Sequence, residues 1–488
     1  MSRVNRIVGA VGVQLLGRLL GTVASIFTVA VTTRYLSVDD YGLLTAATVY
    51  IALWASFTEL GIGGVIVRKV TGEEGDLATL VRVNLGLSLV YCLPLLAVCT
   101  ALGWAIYHGQ DPLPLLIVIV GAGLVLTTIS SCLHPVFLAS VRFRAVASAD
   151  AICRVASLLA TLLVVHLHGG LLWIGVVQVV PPLVQLLIFL GAARRQIPLT
   201  PIFARRAAVD LLRESLPITA VGIIGVLYWR IDGLILSLLS THAEIAAYGL
   251  AYTIAFNLSV LSAFFLASSL STMTEQYAQD VPAFAAFVSR STELLVFLAA
   301  PIVVFGALVA ARVIALLAAP EFVEISTDPL RILLVAVALT FFTGLLGQAL
   351  FAAHDQRFLL RLNVVNLGVN VLLNLVLIPA HGAVGAGIAL VASELSGVLV
   401  AGWRLRSLTG YRFSWLFLAR LVPAVVCGVG AWWLTTGLNV LLAILLISTA
   451  YFGANLLFGP VRAATIRSLL RRTPAPAVEP TVPSQPAT

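Results

Sequence analysis

The stretch QLLGRLLGTVASIFTVAVTTRYLSVDDYGLLTAATVYIALWASFTELGIGGVIVR, residues 14–68, decides the fold. It reads as an apolar helix, a short charged turn at Arg34–Gly42, and a second apolar helix. Arg18 lies well inside the first apolar run. A guanidinium at bilayer depth costs roughly 2.5 to 3.5 kcal/mol on the insertion scale, so Arg18 is expected to face protein or water and not lipid. Gln14, Arg18, Gly21, Ser25, Thr28 and Thr32 follow one another at steps of three or four. That spacing gathers the small and polar side chains on one stripe and leaves Leu and Val for the opposite face. The first helix is therefore expected to wall a polar interior.

The rest of the chain has the same character. Of 488 residues, 60% are hydrophobic and 10% charged, and the mean hydropathy is +1.06. Repeated apolar runs near the roughly 20 residues needed to cross hydrocarbon make this an integral membrane protein of the helical class. The longest polar stretches, residues 194–214 and those after Arg462, are too short for a soluble core of their own. The net charge of +8 is scattered through connections, which argues against nucleic acid as a partner. Cys92, Cys99, Cys132, Cys153 and Cys427 all lie in apolar runs without metal-ligand or paired spacing, so neither a disulfide framework nor a zinc site is implied. The first helix has no small-residue cleavage site and is too long for a signal h-region, so it is expected to be retained.

Fourteen apolar spans are expected between charged connections. With a cytoplasmic amino terminus, most of the 29 basic residues fall in inner connections. Only Arg34, Arg312 and Arg331 are left outside, with Arg18, Arg154 and Arg230 within spans. This bias predicts that both termini are cytoplasmic. The proline-rich end, residues 462–488, reads as a disordered tail.

Two halves are visible. YGL at Tyr41–Leu43 recurs at Tyr248–Leu250, and HGGLLWIG from His168 matches HGAVGAG from His381. The offsets of the two pairs differ by only a loop insertion, which predicts a parallel duplication. The expected units are residues 1–200 (spans one to six), 201–415 (seven to twelve) and 416–461 (thirteen and fourteen).

Polar side chains recur at matching places in these halves. Span five carries Asp150, Arg154, Ser157 and Thr161 on one face, with His168 beyond them. Span eleven carries Asn363, Asn366, Asn370 and Asn374 at steps of three, four and four. Span seven adds Thr219, Arg230 and Ser237, with Asp232 two residues beyond Arg230 and facing elsewhere. Such groups either join helices by hydrogen bonds or line a cavity. Asp150 and Arg154, one turn apart, are able to neutralise each other. Arg18 and Arg230 have no acid one turn away, which favours a cavity role. An arginine fork donates to phosphate oxygens and stays charged at any relevant pH, so a cationic cavity points to a phosphorylated passenger. Asp150, Asp232 and Glu394 are candidates for coupling to H⁺ or Na⁺, against helix-end or partner-arginine pairing.

Catalysis finds little support. The outer loops are short, the GAG tripeptides at Gly121 and Gly385 lie in apolar spans without a phosphate-binding context, and there is no ATPase motif. His134 and His354 sit near span ends, at the interface. No enzyme and no cofactor is implied.

The amino-terminal RYLSVDDYGLLTAA and ELGIGGVIVRK, with WRIDGLILSLLSTHAEIAAYGLAYTI at residues 229–254, resemble the polysaccharide-biosynthesis flippases of the Wzx type. Those belong to the multidrug, oligosaccharidyl-lipid and polysaccharide exporter superfamily. The likeness covers nearly all of residues 1–415, and the two extra spans resemble its fourteen-span members, the peptidoglycan lipid flippase branch among them. The resemblance implies two six-helix lobes around a central cavity in the bacterial cytoplasmic membrane. Alternating access would move a polyprenyl-pyrophosphate-linked glycan to the outer leaflet, beside a polymerase or glycosyltransferases as partners and with membrane lipid around the tail. It also implies a pyrophosphate held by cavity arginines, carried over to Arg18 and Arg230 and to Arg154, where Asp150 competes. Gln14 and the four asparagines would line the same cavity. The alternatives are a cation-coupled drug or metabolite antiporter on the same fold, which abundant cavity acids without arginines would have favoured, and a scaffold that transports nothing.

Overall fold

The computed structural model describes residues 20–139 and 143–460, all of it helix and connecting turn. In lipid every backbone N–H and C=O must be satisfied within its own segment, and apolar helices do this. The expectations for Gln14, Arg18 and the tail at 462–488 lie outside the described residues.

The first helix, α1, is described over residues 20–35. It turns at Ser37, whose hydroxyl accepts from the Asp40 amide and caps α2 (Val38–Glu59). Leu60 and Gly61, both left-handed, break the helix before it resumes as α3 (Ile62–Thr71). There follow α4 (Leu77–Tyr107), α5 (Leu113–Ser131), α6 (His134–Ala139) and α7 (Phe143–His166). The first half closes with α8 (Leu171–Val177) and α9 (Val180–Ala193). The second half holds α10 (Arg205–Leu239), α11 (His242–Asn257), α12 (Val260–Gln279), α13 (Val281–Leu317), α14 (Glu321–Ala352) and α15 (Gln356–Thr409). Last come α16 (Trp415–Leu434) and α17 (Val440–Phe458).

Among the described residues, eleven helices are long and apolar enough to cross a membrane, or twelve if α11 and α12, bent by 43°, form one span. One of the eleven, α15, is a hairpin and not a 54-residue rod. Gly382 has φ 51 and ψ −129 there. Asn370 donates to Ser393 at 3.1 Å and Ser396 donates to Asn366 at 2.9 Å, pairings centred on that glycine. A Cβ at Gly382 would overlap the Glu244 carboxylate, which instead accepts from the Ala383 amide at 2.6 Å and so caps the returning arm. In the first half the same motif has a left-handed His168, φ 53, and Tyr35 donates to the Gly169 carbonyl at 2.8 Å.

Apolar side chains cover the outside: Leu434 is 86% exposed, Leu457 77% and Trp415 74%. Inside, large buried side chains such as Tyr107, Phe284 and Phe341 fill the cores, and one crossing is built from close-fitting small residues. Where α2 crosses α11, Ala46, Ala47, Ala246, Ala247 and Ala251 are buried. The two YGL motifs meet at this crossing. A Cβ at Gly42 would overlap the His242 carbonyl, and one at Gly249 would overlap the Thr45 methyl. Small residues of this kind let helix backbones approach where no hydrophobic force separates helix from lipid. At the far side, Arg312 donates to the Thr435 and Thr436 carbonyls at 3.2 and 2.7 Å, fastening the α16–α17 turn to α13.

Replacing Gly42 by Val would wedge this crossing apart. The expected loss is about 3 kcal/mol, read as a lower melting temperature of the detergent-purified protein. Gly222→Ala, where no atom lies within 4 Å, should leave it unchanged.

Candidate functional site

A cavity of about 390 Å³ lies between α1, α2, α7, α10 and α11, with Gln178 and Pro181 closing one side. The described part of the α1 stripe lines it: Ser25, Thr28 and Thr32 all contribute. Thr28 and Thr32 each return their hydroxyl proton to the carbonyl four residues before, at 2.9 and 2.7 Å, leaving lone pairs toward the space. From α2 come Thr45 and Thr48, satisfied in the same way within their own helix. These four threonines thus satisfy their hydroxyl protons within their own helices.

Two arginines enter it. Arg154 of α7 lines the cavity beside Ser157. Its Nε donates to both Asp150 oxygens at 3.1 and 3.2 Å and its Nη1 to Ser25 at 2.8 Å, so the guanidinium spans α7 and α1, and Nη2 makes no hydrogen bond among the described residues. The pair is half exposed, and Asp150 is not among the lining residues. Arg230 of α10 sits over the Tyr252 ring, 5.4 Å from its centroid, and belongs to no ion pair among the described residues. A cation held on an aromatic face keeps its outward N–H groups free for an anion. Tyr252 in turn donates to the Trp229 carbonyl at 3.1 Å and stacks on Phe256 at 4.0 Å, so the surface under Arg230 is rigid.

Asp232 lines the same cavity, although helical spacing alone sets it on a different face of α10 from Arg230. It is buried. One oxygen accepts from the Gly233 amide at 2.7 Å and the other from the Tyr248 hydroxyl. The long Arg230 stem reaches round the helix to Tyr252, four residues along α11 from Tyr248, and this brings both groups to one wall.

The remaining polar groups lie elsewhere. Glu394, in the second arm of α15, is buried and accepts from Tyr228 at 2.7 Å and Thr343 at 2.8 Å, joining α10, α14 and α15. Asn366, Asn370 and Asn374 are buried between the arms of α15, where Asn374 donates to the Asn370 side chain at 3.0 Å. Asn363 is exposed. None of these five lines the central cavity. Thr161 is buried and bonded to the Ser157 carbonyl. Thr219 donates to the Leu60 carbonyl at the α2–α3 break, and Ser237 lies 2.7 Å from the Tyr107 hydroxyl. Reading spacing alone misses the aromatic wall of Trp229, Tyr248 and Tyr252, although all three stand in the quoted 229–254 stretch.

The model for the family described as polysaccharide biosynthesis protein matches residues 7–274. No curated protein matches the chain. Among solved structures, the fold is shared with the lipid II flippase MurJ in an inward closed conformation, at 12% identity and a TM-score of 0.77. That match covers 94% of this chain and 99% of the other. It is shared also with an inward-facing multidrug resistance MATE family transporter of the MOP superfamily, at 15% identity and a TM-score of 0.67, covering 80% and 95%. Against an outward-facing MATE transporter the TM-score falls to 0.53, at 14% identity over 81% and 94%.

Tyr248 is the donor that makes a buried Asp232 tolerable. Tyr248→Phe is expected to lower stability by about 1 to 3 kcal/mol. The double variant Tyr248→Phe/Asp232→Asn should lose less than the sum of the single changes in thermal melts.

Proposed function

The chain belongs to the polysaccharide biosynthesis protein family, and we propose that it carries a polyprenyl-pyrophosphate-linked oligosaccharide across the bacterial cytoplasmic membrane by alternating access, for the synthesis of a cell-surface polysaccharide. The observation that carries this reading is the pair of arginines in one hydroxyl-lined cavity, Arg154 bridging Asp150 and Ser25 and Arg230 in no ion pair among the described residues. Each fork matches the oxygens of a diphosphate, and each stays cationic through the cycle. The glycan sits among the hydroxyls of Ser25, Thr28, Thr45 and Thr48, and the lipid tail stays between the lobes. Arg18 belongs to this reading by sequence alone, three or four residues from Gln14 and Gly21 on the same helical stripe. The likeness to a lipid II flippase supports a lipid-linked cargo.

Both termini are cytoplasmic in this reading, and the halves 1–200 and 201–415 rock against each other while 416–461 ride with the second. Asp232 is the first candidate for H⁺ or Na⁺ coupling, since it lines the cavity; Glu394 and Asp150 do not. Glycosyltransferases supply the lipid-linked substrate and a polymerase consumes it. The cation-coupled drug antiporter has one observation in its favour, the fold shared with MATE transporters. Two cavity arginines oppose it, because they repel the cationic cargo that a lone Asp232 would attract.

In proteoliposomes loaded with a polyprenyl-pyrophosphate glycan, Arg154→Ala/Arg230→Ala, and likewise Arg18→Ala/Arg230→Ala, should abolish glycan appearance on the far face while the protein remains folded. Unchanged translocation would remove the mechanism, and cation-driven efflux of an organic cation would install the antiporter in its place.

A further inference from the structure

A second cleft, of about 940 Å³, opens between α13, α14, the returning arm of α15 and the start of α16. It shares no lining residue with the central cavity. Its walls are apolar for most of their length, with Phe342 and Leu399 among them, and among the described residues the only charged ones in its lining are Arg406 and Arg412.

The mouth of the cleft is a constructed feature. The α15 helix ends at Gly410, whose φ of 73 lets the chain turn at once. Tyr411 is buried with its hydroxyl 3.0 Å from the Thr292 hydroxyl, and Ser289 donates to the Arg412 carbonyl at 3.0 Å. Ser414 then caps α16. A loop pinned at successive residues thus brings Arg412 to the same cleft as Arg406. Both guanidiniums are exposed, and neither belongs to an ion pair among the described residues. Arg404, by contrast, is held by Asp355 at 2.7 Å. Trp403 and Trp415, 65% and 74% exposed, stand in the lining beside the arginines, as aromatic residues do at the level of lipid headgroups.

We propose that this cleft binds an anionic phospholipid, with its acyl chains between α13, α14, α15 and α16 and its phosphate between Arg406 and Arg412. Charge selects the occupant. A zwitterionic lipid would set its ammonium group against two unpaired guanidiniums, whereas an anionic headgroup neutralises them. The tail of a cargo whose head sits in the central cavity is a poorer fit, because the two spaces have no wall residue in common. The bound lipid fills the joint between the bundle and α16, so it acts as mortar for the last two helices whether or not the chain moves a glycan.

The test is native mass spectrometry of the full-length protein in detergent with an equimolar mixture of phosphatidylglycerol, cardiolipin and phosphatidylethanolamine. The anionic lipids should be retained preferentially. Arg406→Ala/Arg412→Ala should weaken that retention by about 30-fold, while Arg406→Lys/Arg412→Lys and the distant Arg195→Ala keep it. Gly402→Leu provides a second route. It has open space before it, the nearest atom being Leu346 Cδ1 at 3.9 Å from an added Cβ, and it should fill the cleft and expel the lipid without touching either charge. Equal retention of phosphatidylethanolamine, an unaltered profile in both the double alanine variant and Gly402→Leu, or displacement of the phospholipid by a polyprenyl phosphate would overturn the assignment.

Discussion

The structure depends on how closely α2 and α11 approach. Between helices in a bilayer there is no hydrophobic gain on contact, so association rests on van der Waals fit and on the few hydrogen bonds available. Gly42 and Gly249 remove the side chains that would hold the backbones apart, and the alanines beside them complete the fit. Because α1 and α10 lead directly into these two helices, the crossing fixes where Ser25, Thr28, Arg230 and Asp232 stand relative to one another. The cavity is what remains beyond the point at which the two helices part.

Charge inside this bundle is handled in two ways. The two buried acids are surrounded: Glu394 accepts from Tyr228 and Thr343 on two neighbouring helices, and Asp232 accepts from Tyr248 across the helix pair and from the Gly233 amide of its own helix. A buried carboxylate left without donors would destabilise the protein by several kcal/mol, so these contacts are conditions of folding as much as of function. The arginines are left partly open. Arg230 rests on an aromatic ring and belongs to no ion pair among the described residues, whereas Arg154 is paired with Asp150 and reaches Ser25 through a second nitrogen.

Much of this was readable from spacing. The stripe on the first helix predicted that Ser25, Thr28 and Thr32 share a face, and they line one cavity. Periodicity grouped Asn363, Asn366, Asn370 and Asn374 on one stripe expected to line the cavity, but it could not say what Asn366, Asn370 and Asn374 face. They face the other arm of their own hairpin, because Gly382 folds α15 back on itself, and a partner so placed leaves no trace in a helical wheel. Asp232 was set apart from Arg230 by the same geometry. The length of the arginine stem and the position of Tyr252 on the neighbouring helix reunite them, and neither is a property of α10 alone. The repeated YGL was legible as a repeat, whereas the meeting of its two copies requires knowing which helices cross.

The break between α2 and α3 has a mechanical corollary. An intact helix resists bending because each degree of tilt stretches carbonyl–amide bonds. At Leu60 the carbonyl is instead taken by the hydroxyl of Thr219, on a helix from the other half of the chain. Flexing at this joint therefore sacrifices little internal bonding, and the effort falls on rotating the two left-handed residues that form it. The joint between α2 and α3 is thus braced by α10 at the same carbonyl that the helix has given up.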